Sequence, residues 1–119
     1  MANVTAMDVK NARVIIELEG EEVTLTPSPD AIISLSAKYD GLGPLINALQ
    51  RVNVQASVDV VVVGAGAKDK EAKTLANKVV REGVTKLMPQ LLEFVFILAN
   101  GGKPLKEADD DGEKNPPEN

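Results

Sequence analysis

Residues 87–102, LMPQLLEFVFILANGG, decide how the rest of the chain must be arranged. Leu91, Leu92, Phe94, Val95, Phe96, Ile97 and Leu98 follow one another almost without a break, whereas a bilayer crossing takes about 20 such residues. The stretch is therefore expected as a buried or partner-covered helix over 85–100. At about 100° per residue, Leu87, Leu91, Phe94, Val95 and Leu98 share one broad face, with Glu93 and Asn100 in a narrow strip opposite. Leu91, Phe94 and Leu98 are expected as core, packed on the helix that carries Leu75 and Val79. Phe96 and Ile97 flank the polar strip. A small domain has little material with which to cover a second apolar side, so Phe96, Ile97 and Leu92 are the candidate partner-binding residues.

Upstream, ARVIIELEGEEVTLTPS alternates in period two over 13–18 and 22–26 around Glu19, Gly20 and Glu21, which predicts a β-hairpin over 13–26. Val14, Ile16 and Leu18 point one way; Val23 and Leu25 join them, and Thr24 and Thr26 point outward. Ser28 is then an N-cap and Pro29 the first residue of a helix over 29–39 with Ile32, Leu35 and Tyr39 inward. Asp40-Gly41 should end it by the glycine terminator rule. Leu42, Leu45, Ile46 and Leu49 predict a short helix over 44–52, which Asn53 closes or caps. The next segment, 55–63, contains four consecutive valines from Val60. It suits a strand by propensity and a helix by spacing. Asp69 is the expected N-cap of a helix over 69–82, in which Ala72, Leu75, Ala76, Val79 and Val80 form the apolar stripe. Lys70, Lys73, Lys78 and Arg81 lie on its other side, as a solvated face or a dock for an acidic partner.

The composition bounds the function. A chain of 119 residues, 44% hydrophobic and 26% charged, supplies one domain, placed here at 1–102. Residues 103–119, with six acids against three lysines, are expected as a disordered acidic tail. The chain has neither Cys nor His, which removes thiol nucleophiles, imidazole bases and the usual zinc ligands. A net charge of −5 argues against nucleic acid or an anionic membrane as a partner. The start, MANVTAMDVK, carries no secretion signal, so a cytoplasmic location is expected.

Two motifs tempt and fail. VVVVGAGAKDK resembles a strand entering a phosphate loop, with Gly64, Ala65 and Gly66 as the cradle, but Asp69 stands where a dinucleotide fingerprint needs Gly or Ala. Asp109-Asp110-Asp111-Gly112-Glu113 lacks the closing Glu and flanking helix of a calcium loop. The acids of the hairpin read as solubilising charge, and Tyr39 as a packing residue. No catalytic, cofactor or metal residue is assigned, and the chain is expected not to be an enzyme.

The order of a hairpin with VIIELEGEEVTLTPS, a helix with PDAIISLSAKYDGLG, short helices and a last apolar helix ending in Asn-Gly-Gly resembles the tail assembly chaperones of siphophage-type tails. Within that family it is most similar to the branch that includes gene transfer agents. The resemblance covers about residues 10–102. It implies an α+β fold, an N-terminal β-hairpin followed by a small bundle of four to five helices, and favours helix over strand for 55–63. It also implies a non-enzymatic protein that binds the tape measure protein before the tail tube polymerises. Such a protein works in the host cytoplasm as a homo-oligomer, can also meet the tail tube protein, and is absent from the mature virion. The alternatives are a structural tail component, a connector or tube subunit, and a small nucleotide-binding protein using Gly64-Ala65-Gly66.

Overall fold

Alternating burial makes the first element. Val14, Ile16 and Leu18 are buried while Ile15 and Glu17 are exposed, and this strand, β1 (Val14–Leu18), pairs antiparallel with β2 (Glu21–Leu25) in a two-stranded sheet. Val14 faces Leu25, Ile16 faces Val23 and Leu18 faces Glu21. Glu19 and Gly20 both have positive φ, 51° and 85°, the backbone that a two-residue hairpin turn requires. The computed structural model describes residues 12–105, and the hairpin is followed there by five helices. The expected tail therefore lies outside the described residues from 106 onward, as does the acidic run 109–113.

Helix α1 (Pro29–Tyr39) starts as expected: the Ser28 hydroxyl oxygen accepts from the Ala31 N–H at 3.0 Å, and Pro29 is the first helical residue. Its left-handed terminator is Asp40, at φ 60°, and not Gly41, whose N–H closes the helix onto the Ser36 carbonyl at 2.7 Å. Inside it the structure buries Ala31 and Leu35, with Ile32 and Tyr39 half-buried. Helix α2 (Leu42–Gln50) begins two residues before the expected Pro44, because proline in a first turn has no N–H that the helix needs. Asn53 serves both neighbours. Its N–H bonds the Ala48 carbonyl at 3.0 Å, and its side chain caps the next helix at the Ala56 N–H, 2.9 Å away.

That next helix, α3 (Val54–Ala65), settles the valine run as helix. It packs against β2 and all four other helices, and burial on so many sides overrides the strand preference of β-branched residues. Helix α4 (Asp69–Glu82) is capped by Lys68 without a side-chain bond; Asp69 is its first residue, at φ 54°, and not the expected N-cap. Leu75 and Val79 are buried, but Val80 is 55% exposed, so the apolar stripe is narrower than its spacing implied.

Helix α5 (Val84–Ala99) starts at Val84, which puts Pro89 inside the second turn and not in the first. Pro89 and Thr85, whose carbonyl loses its partner, are both exposed, so water can satisfy that carbonyl. The helix closes at Gly101, φ 76°, with the Gly102 N–H on the Ile97 carbonyl at 2.8 Å. Phe94 is fully buried among Ile16, Leu18, Leu25, Leu35, Leu45, Leu49, Leu91 and Leu98 in one core cluster. The main neighbours of α5 are α2, α3 and β1; the expected pairing with α4 is a lesser contact. Leu105, within the stretch expected to pack nothing, is half-buried against the core.

Candidate partner-binding surface

On α5 three apolar residues at the margin of the core fall on one line. Leu92 is half-buried, Phe96 is 42% exposed and Ala99 is exposed, spaced i, i+4 and i+7, with Glu93 and Asn100 beside them. Ile97 is not among them. It is 3% exposed and belongs to the core, because the apolar face of α5 is wide enough to carry Ile97 inward with Phe94 and Leu98. The expectation that Ile97 is open to a partner is thereby corrected, whereas Phe96 is exposed and Leu92 is half-buried, part of its side chain packed against the core.

Other apolar groups are exposed singly: Ile33 on α1, Val52 and Val54 around the α2–α3 junction, and Ile15 on the outer face of the hairpin. Ile15 borders a groove of about 340 Å³ with Glu17, Glu22, Lys86, Leu87 and Gln90. Across it, the Gln90 side-chain amide donates to the Ile15 carbonyl at 3.0 Å, which occupies one of the polar groups on the free edge of β1.

The polar clusters of the molecule tie elements together. Asp59, buried in α3, accepts from the Tyr39 hydroxyl and from the Gln55 amide at 2.9 Å, and Lys38 pairs with it at 2.9 Å. Burial, and then the bond to Asp59, hold the Tyr39 phenol well above its ordinary pKa. Tyr39 thus does more than pack; it fastens α1 to α3. At the other end the hairpin turn is clamped to the α4–α5 corner. Arg81 grips Glu19 at 2.6 and 3.1 Å, the Glu19 N–H donates to Glu82 at 2.7 Å, Lys78 reaches Glu21 at 2.7 Å and Lys86 reaches Glu82 at 2.6 Å. The bond to Arg81 lowers the Glu19 pKa and raises that of Arg81, and Lys86 lowers that of Glu82. Two of the four cations expected on an open face of α4 are therefore engaged within the fold.

Sequence reasoning missed both clusters, although signals existed. An acid inside a valine run is a charge that must find donors, and acids at a hairpin tip are complementary to a helix ending in Lys78 and Arg81. The glycines also read differently in the fold. Gly64 lies in the last turn of α3, its carbonyl accepting from the Thr26 N–H at 2.9 Å, and Gly66 is the left-handed cap at φ 69°. A dinucleotide fingerprint needs a strand before its glycines, and here a helix precedes them. Among the described residues no group of three or more acids could hold a metal ion, and no helix is long and apolar enough to cross a membrane.

The chain matches no protein-family model, no curated protein and no solved structure.

Proposed function

We propose that this protein is a non-enzymatic holder of an apolar helical client, a tail assembly chaperone that keeps a tape measure protein soluble before the tail tube forms. The observation that carries the reading is the exposed Phe96 ring, with Ala99 exposed and Leu92 half-buried in line with it, on a helix whose broad inner face is core. A rigid helix presenting one large aromatic between smaller apolar groups suits helix-on-helix docking, and the Glu93 carboxylate beside it keeps the free form dispersed. The likeness of residues 13–43 to that family gives the client its name. The polar clusters are compatible with the same reading, since Asp59 and the hairpin clamp act between elements of the fold. The protein works in the host cytoplasm as a homo-oligomer and leaves before the tail matures.

Co-expression with the tape measure protein tests this. The native chain should hold the client in the soluble fraction, and Phe96→Asp, which changes an exposed side chain, should remain folded by circular dichroism and lose the client. A Phe96→Asp chain that still holds it would overturn the assignment of the surface. Recovery of the chain in stoichiometric amount from purified mature tails would replace the chaperone with a structural component.

A further inference from the structure

The hydrogen-bonding parity of the hairpin leaves one strand edge open. Leu18 and Glu21 flank a two-residue turn and so exchange both backbone bonds, and alternation makes Ile16 with Val23 and Val14 with Leu25 the next bonded pairs. Ile15, Glu17, Glu22 and Thr24 therefore turn their N–H and C=O groups away from the partner strand. Two bonds agree with this parity. The Gln90 amide meets the Ile15 carbonyl on the edge of β1, and the N–H of Thr26, two residues beyond Thr24, meets the Gly64 carbonyl on the edge of β2. The outward N–H and C=O of Thr24 and of Glu22 have no such partner among the described residues.

A hollow of about 340 Å³ runs along this edge, bordered by residues 21–24 of β2 and by none of β1. Its far wall is α4, and Leu75 there, with Ala65 at the end of α3, supplies apolar surface. The rim is acidic. Lys78 pairs with Glu21, whereas Glu22 and Glu71 have no ion-pair partner among the described residues. Glu22 also stands directly opposite Glu17 in the ladder, and like charges so placed repel. A second copy of β2 laid against this edge would add carboxylates to it. A cationic strand would relieve the repulsion.

From the open backbone groups, the hollow and the charge we infer that β2 accepts an extended, cationic segment of another protein as a third strand, in the slot between β2 and α4. Its backbone pairs with the N–H and C=O groups of Thr24 and Glu22, and the bond from Thr26 to Gly64 closes the edge at one end. Successive side chains of a strand alternate in direction, so the residue opposite Val23 points inward to Ala65 and Leu75. Those opposite Glu22 and Thr24 point outward, where a Lys or Arg meets the Glu22 carboxylate, and Glu71 adds a second carboxylate at the rim. The recognised pattern is cation, apolar, cation in an extended chain: main-chain bonds hold it and the alternate side chains select it. Nothing in this inference depends on the client proposed above.

The probe is the end-capped peptide Lys-Val-Lys-Val-Lys, titrated at low ionic strength into the full-length, isotope-enriched chain. Saturable shifts of the amide signals of residues 22–24 and 71–75, with a Kd below about 1 mM, are the expected result. Hydrogen exchange of the Thr24 amide should slow on binding, which charge attraction alone would not produce. Thr24→Pro removes the outward N–H without touching the ladder to β1, as an edge position allows, and should abolish binding. A Glu22→Lys, Glu71→Lys chain, altered only at exposed side chains, should bind at least about tenfold more weakly with its core signals unchanged. Absence of saturable shifts, shifts without slowed Thr24 exchange, equal binding of Glu-Val-Glu-Val-Glu, or undiminished binding by the doubly substituted chain overturns the inference. The same shifts on concentrating the chain without peptide overturn it also, since the occupant would then be a second copy.

Discussion

Gly64 lies under the ring of Phe94, so close that a Cβ on the glycine would stand 3.0 Å from the ring Cε2, with Leu25 atoms at 3.1 and 3.2 Å on the other side. Helix α3, strand β2 and helix α5 meet at this point because one residue has no side chain. Alanine is normally the better helix former by ~1 kcal/mol. Here Gly64→Ala should instead destabilise the fold by about 1–3 kcal/mol through overpacking. Gly43 in α2 has open space at its Cβ position and no positive φ, so Gly43→Ala should be neutral or stabilising by up to ~1 kcal/mol. Urea unfolding of the two variants should give opposite signs.

Phe94→Ala removes the largest fully buried side chain and should cost about 3–5 kcal/mol. Ile97→Asp places a charge where 3% of the residue is exposed and should prevent folding at ambient temperature. Phe96→Asp, two residues from one and adjacent to the other, should cost less than about 1 kcal/mol. Thermal melts of the three chains check the order; an unfolded Phe96→Asp chain would show that the outer line of α5 is also structural.

The Tyr39 phenol, raised in pKa by burial and by Asp59, stays protonated in the folded chain at pH values where it ionises in the unfolded one. A raised pKa contributes stability that is complete below the unfolded value of about 10 and lost as pH rises above it. Tyr39 is the single tyrosine, so the ultraviolet absorbance of its phenolate reports this site alone. It should appear together with loss of helix, and Tyr39→Phe should remove part of the alkaline sensitivity. Asp59→Ala, which leaves the hydroxyl and the Gln55 amide without their acceptor, should cost about 1–3 kcal/mol.

Acid acts at the opposite end of the molecule. Glu19 and Glu82 have pKa values below the ordinary 4.5, the first because of the Arg81 bond and the second because of the Lys86 bond. Depressed carboxylates contribute stability that is present above the unfolded pKa and lost as pH falls through the folded one. The hairpin tip should therefore loosen first on acidification below about pH 4.5. Amide exchange at residues 19–21, compared between native and Glu19→Gln chains at low salt, should show the acid step in the native chain and a reduced one in the variant.

Period and punctuation made most of the architecture legible. The hairpin, its inward residues, the Ser28 cap and the burial of Leu91, Phe94 and Leu98 all follow from spacing that the fold has no reason to override. What escaped was set by partners distant in sequence. Ile97 was misplaced because a helical wheel shows the angle of a residue but not how far neighbouring elements wrap around it, and α2, α3 and β1 wrap far. Asp59 was passed over because its donors come from another helix, and Asp40 because a carboxylate residue can take the left-handed position usually given to the glycine beside it. The outward line on α5 was half legible: Phe96 and Leu92 lie along it, while Ala99 was not considered.

The covering of β1 by α5 has a consequence for synthesis. Val14, Ile16 and Leu18 leave the ribosome first, while the helix that packs on their strand is the last described one to be made. At roughly 5–20 residues per second, the hairpin waits about 4 to 16 s between Leu18 and Leu98 with its inner face unsheltered. A two-stranded ribbon is marginal alone in water, so chains stopped before Val84 should remain protease-sensitive throughout.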